Sequence, residues 1–77
     1  MNHEELKENL REMFGECPEV ITAEGIIRAM REAEVKPLPS EDDIEAACEA
    51  LVDDGILQRA GREGYEATEE WIEEYQQ

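Results

Sequence analysis

The chain has 77 residues, carries 22 Asp and Glu against 7 Lys and Arg, and has a formal net charge of −15 with a pI near 4.1. An apolar fraction of 40% suffices for one small core, expected as a single domain over residues 1–77, but not for a second domain or a conventional enclosed pocket of about 300 Å³ or more. A membrane span needs about 18 consecutive apolar residues, which the chain lacks, and its opening "MNHEELKENL" is acidic where a secretory signal is basic and then apolar, so a cytoplasmic location is expected.

In chain order, "EELKENLREMF" places Leu6, Leu10, Met13 and Phe14 at helical spacing, the apolar face of an amphipathic first helix that Gly15 and Pro18 are expected to end. Thr22 offers a side-chain oxygen to cap a second helix, "AEGIIRAMREA", with Ile26, Ile27, Met30 and Ala33 as its expected buried stripe. Gly25 is a weak point there, costing about 1 kcal/mol relative to alanine in a helix interior. The two prolines of "VKPLP" make it an extended connector.

Ser40 then caps a third helix, and Asp43 completes the S-x-x-D form of a capping box. Ile44, Ala47, Cys48, Leu51 and Val52 share one apolar sector of this helix, and Gly55 sits where a left-handed C-terminal residue is wanted. After Gly55 the period shortens. "ILQRA" and "GYEAT" read as extended runs joined by "GRE", a β-hairpin with Gly61 and Gly64 at the ends of its connection. Thr68 caps a last helix, "EEWIEEYQQ", whose apolar stripe is Trp71, Ile72 and Tyr75.

The expected fold is therefore mainly α with a small β-hairpin. "ITAEGIIRAM", "SEDDIEAACEALVDDGIL" and "GREGYEAT" resemble, in order, the second helix, the third helix running into the first wing strand, and the wing of the winged helix-turn-helix family. The resemblance covers roughly residues 20–70 and implies three helices, a two-stranded wing and a C-terminal helix. It further implies a third helix that enters the DNA major groove, with the groove-facing positions falling on Asp42, Glu45, Ala46, Glu49 and Asp53.

Charge departs from that implication. Residues 40–54 hold Glu41, Asp42, Asp43, Glu45, Glu49, Asp53 and Asp54 with no cation. Affinity for a phosphate backbone comes from Lys and Arg, so this helix contributes none. Asp53 and Asp54 also stand at the negative end of the helix dipole, at a cost of about 0.3 to 1 kcal/mol each at low ionic strength. Basic residues outside the first helix are Arg28, Arg31 and Lys36 in the second helix and its exit, and Arg59 and Arg62 in the hairpin. Arg28, Arg31, Arg59 and Arg62 are the alternative nucleic-acid contacts; the competing reading pairs them with surface glutamates, each pair worth about 0 to 1 kcal/mol.

Nothing in the chain forms a nucleophile elbow, an HExxH motif, a phosphate-binding loop or a calcium loop, so no catalytic residue, metal site or cofactor is expected. Cys17 and Cys48, without a CxxC, read as reduced packing thiols, and His3 as incidental. Trp71, Ile72 and Tyr75 either fold back onto the first helix or form a homodimer contact. The leading functional expectation is a non-enzymatic acidic binding module that meets a basic protein surface through Asp42, Glu45, Glu49 and Asp53, including the special case of a DNA mimic. The alternative is a DNA-binding transcriptional regulator that docks by wing and second helix, from a salt-rich cytoplasm where such acidity is screened.

Overall fold

Side-chain oxygens start each helix. In the computed structural model, which describes residues 2–17 and 19–76, Asn2 accepts from the Glu5 N–H at 2.8 Å, Thr22 from Gly25 at 3.1 Å, Ser40 from Asp43 at 3.1 Å and Thr68 from Trp71 at 3.3 Å. These caps open α1 (His3–Glu16), α2 (Ala23–Glu32), α3 (Glu41–Asp53) and α4 (Glu69–Tyr75). Each satisfies one of the amide donors that a helix N-terminus leaves without an intrahelical partner.

The helix exits are equally local. At the end of α3, Gly55 takes φ +79°, its N–H bonds the Val52 carbonyl and the Ile56 N–H returns to Leu51, the two bonds of a Schellman motif. Glu34, with φ 58°, does the same after α2: its N–H bonds Arg31 and the Val35 N–H returns to Met30. A glutamate in this left-handed position gives no sequence signal, because the position is usually filled by glycine or asparagine.

Three strands, rather than the expected two-stranded hairpin, form the sheet. β2 (Leu57–Ala60) and β3 (Gly64–Ala67) are the hairpin, and β1 (Ile21–Thr22) pairs antiparallel with the other side of β3, giving the order β1-β3-β2. Ile21 faces Tyr65 and Thr22 faces Gly64 across this ladder. Two residues are too few for any alternation to register.

The core joins one stripe from each of the first three helices to the sheet. Leu6, Leu10 and Phe14 of α1, Ala23, Ile26 and Met30 of α2, and Ile44, Ala47, Cys48 and Leu51 of α3 meet Leu57 and Tyr65. Val52 and Ile27 are half-buried at its edge, whereas Ala33, expected in the α2 stripe, is exposed and Ala23 takes its place.

Gly15 does not end α1. It lies in the last turn of the helix, where the Tyr75 ring approaches so closely that a Cβ built there would stand 2.5 Å from a ring carbon. Pro18, the other expected stop, lies outside the described residues. α4 thus folds back along its own chain: Trp71 packs against the core, its ring stacks on Tyr75 with centroids 5.1 Å apart, and Tyr75 covers Gly15 while remaining 42% exposed. Among the described residues no helix is long and apolar enough to cross a membrane.

Candidate functional site

Strand alternation decides what faces α3. Arg59 stands directly opposite Tyr65 and two residues from Leu57, so all three share the face of the sheet that turns toward the core. Leu57 and Tyr65 are buried there, and Arg59, at the far end of the same row, lies along the edge of α3 with its side chain still 70% exposed. On α3 the residue it meets is Glu49. Both oxygens of that carboxylate accept from the Arg59 guanidinium, Oε2 from Nε at 3.1 Å and Oε1 from Nη2. Oε2 also accepts from the Tyr65 hydroxyl at 2.7 Å. The planar guanidinium fork matches the carboxylate in a two-point pair, and the buried phenol supplies a third bond.

These contacts set the charge states. The Arg59 and Tyr65 hydrogen bonds hold the Glu49 carboxyl below its ordinary range, and Glu49 in turn raises Arg59. Burial, then the bond to Glu49, pushes the Tyr65 phenol up to about 12. A carboxylate held ionised and a phenol held protonated are both displaced from the neutral range in which a general acid or base works best. The arrangement is a clamp between α3 and the hairpin. Because the folded pKa of Glu49 is depressed, the clamp's contribution is present above the ordinary carboxylate pKa and is lost as pH falls through the lowered value. A carboxyl ¹³C titration by NMR should therefore place the Glu49 midpoint below the ordinary carboxylate range, with the Arg59 side-chain signals moving in the same pH step.

The four acidic positions read from the sequence are consequently not equivalent. Asp42, Glu45 and Asp53 are exposed, and no hydrogen bond or ion pair engages their side chains among the described residues. Glu45, Glu49 and Asp53 follow one another at four-residue spacing, so they form a row along one side of α3. Asp53 adds to the field that holds Arg59 charged. Beside this row, Glu45, Glu49, Arg59, Arg62, Glu63 and Tyr65 line an open cleft of about 310 Å³ between α3 and the hairpin.

The candidate cations also divide. Arg59 is held in the clamp, as the ion-pair reading expects, whereas Arg28 and Arg31 on α2 and Arg62 in the turn are exposed and, among the described residues, make no ion pair. A further pair was not legible from the sequence: Lys7 of α1 meets Asp54 at 3.4 Å. It places a cation at the negative end of α3 and offsets part of the dipole cost of Asp54.

No family model, curated protein or solved structure matches the chain. Both cysteines are free; Cys48 is buried and Cys17 is exposed, which corrects the expectation that both pack. Burial foremost, with Glu49 and Glu45 adding to it, raises the Cys48 thiol to about 12, so it carries almost no thiolate at neutral pH. Among the described residues no group of three or more His, Cys, Asp and Glu side chains is arranged to hold a metal ion.

Proposed function

We propose that the chain is a non-enzymatic binding module of the winged-helix type, and that the row on the outer side of α3 contacts a basic surface of a protein partner. The element order α1-β1-α2-α3-β2-β3-α4, with β1 added to the hairpin, is the order such a domain would have. One observation carries the functional reading. The Glu49 clamp engages the hairpin cation Arg59, while Asp42, Glu45 and Asp53 stay exposed and, among the described residues, make no hydrogen bond or ion pair. Those three carboxylates, more than Glu49, are the contact residues, because Glu49 would have to give up Arg59 and Tyr65 to meet a new cation. A basic partner gains association rate from this field, and the complex weakens as salt rises.

The DNA mimic is the same reading with a nucleic-acid-binding cleft as the partner, its basic lining meeting these carboxylates in place of phosphates. The regulator reading keeps one supporting observation: Arg28, Arg31 and Arg62 are exposed and make no ion pair among the described residues. A homodimer through α4 would have Ile72 and the exposed part of Tyr75 to work with, since Trp71 is packed against the core.

Titration of a fluorescent random-sequence DNA duplex at low salt tests the choice. Non-specific DNA binders reach dissociation constants of about 10⁻⁴ to 10⁻⁶ M. The expected result is no saturation in that range. Saturable binding that disappears on changing Arg28, Arg31 and Arg62 to alanine would establish the regulator reading instead.

A further inference from the structure

We propose that a notch between the C-terminal halves of α1 and α2 docks the apolar side chains of a cationic amphipathic segment of a protein partner. The notch holds about 340 Å³, and its apolar lining comes from Met13, Ala29, Met30, Ala33 and Val35. Its origin is local. The α1 stripe of Leu6, Leu10 and Phe14 turns into the core and leaves Met13 at the margin. α2 opposes it with two exposed alanines where larger side chains would fill the gap, and the left-handed turn at Glu34 brings Val35 back to close one end.

Charge selects the occupant. The two ionised residues that line the notch, Glu12 and Glu16, are carboxylates, and no Lys or Arg lines it. The last turn of α1 has no basic residue, so the negative end of its dipole adds to the same field. An apolar anchor flanked by Lys or Arg meets both features at once, as an amphipathic helix does when it lays its apolar face in a groove. The flexible thioethers of Met13 and Met30 can adjust to anchors of different shape. A second copy of this chain, at net charge −15, would bring carboxylates against Glu12 and Glu16. The polar side chains of the lining, Asn9, Glu12 and Glu16, are exposed at its margin, whereas a small-ligand site places polar groups within an enclosing pocket.

The test uses a fluorescent peptide of leucine and lysine at amphipathic helical spacing, with an oligo-lysine peptide of equal charge and a leucine–glutamate peptide as comparisons. The expected result is saturable binding of the leucine–lysine peptide, with the largest NMR shifts on the Met13 and Met30 ε-methyls. Neither comparison peptide should move those methyls. Ala29→Lys, a change at an exposed helical position, should weaken binding at least tenfold while leaving the circular dichroism spectrum unaltered. Neutralising Asp42, Glu45 and Asp53 should leave the methyl shifts in place, which separates this surface from the α3 row. Binding of the leucine–lysine peptide without methyl shifts, or equal methyl shifts with oligo-lysine or the leucine–glutamate peptide, would overturn the proposal. So would unchanged affinity in Ala29→Lys.

Discussion

Phe14→Ala should leave the protein largely unfolded at room temperature. Phe14 is fully buried and among the largest side chains of the core. Truncation of such a residue costs about 3 to 5 kcal/mol through lost transfer energy and the cavity left behind. A core in a chain of this size supplies a net stability of about the same amount, 3 to 5 kcal/mol. Far-UV circular dichroism with a thermal melt measures the outcome. Loss of the cooperative transition is expected; a transition lowered by only about 4 to 8 °C, the shift that about 1 kcal/mol produces in a small domain, would show that Phe14 is not central to the packing.

Salt should stabilise the fold and weaken its complexes. A net charge of −15 on 77 residues repels itself in the compact state. Among the described residues the ion pairs Lys7–Asp54 and Arg59–Glu49 involve only two of the carboxylates. Raising NaCl shortens the screening length from about 30 Å at 0.01 M to about 3 Å at 1 M, which relieves repulsion across the whole molecule and weakens the two surface ion pairs, each worth only about 0 to 1 kcal/mol. If that relief is about 1 kcal/mol or more, the melting temperature rises by at least about 4 to 8 °C over this range. A melting temperature that falls with salt would mean that the attractive pairs outweigh the repulsion. Association with a basic partner should move the opposite way, its rate dropping as the same screening grows.

What the sequence made legible was whatever depends on neighbours a few positions away. Thr22, Ser40 and Thr68 cap the helices they were expected to cap, Gly55 adopts the left-handed exit, and the stripes of α1 and α3 are buried with Val52 and Met13 at their margins. The helical wheel of α3 also separates Asp42, Glu45, Ala46 and Asp53 from the core face, and all four are exposed, whereas Glu49 is half-buried against Tyr65. Features that depend on distant pairing were hidden. β1 exists only because β3 offers Ile21 and Thr22 a ladder more than forty positions away. Gly15 carried the composition of a helix stop, yet its lack of a side chain serves the Tyr75 ring.

The same limit shaped the site. The sequence leaves Arg59 between phosphate contact and pairing with a surface glutamate and places Glu49 on an acidic face; the hairpin folds Arg59 onto Glu49, which bears out the pairing and names the partner. The alternation of Leu57, Gln58 and Arg59 held the signal: placing Leu57 in the core puts Arg59 on the same face. Pairing that inference with the position of Glu49 requires the crossing of α3 over the sheet, which no short-range pattern encodes.

The most direct test of the acidic-face reading is a ¹⁵N-amide NMR titration of the intact protein with an oligo-lysine peptide at low salt. The expected result is a compact set of shifts at Asp42, Glu45, Asp53 and their neighbours on α3, fading as salt is raised, with Glu49 and Arg59 retaining their mutual bond. Shifts spread over the glutamates of α1 and α4 in proportion to their charge would contradict it, and would assign the acidity to the surface as a whole.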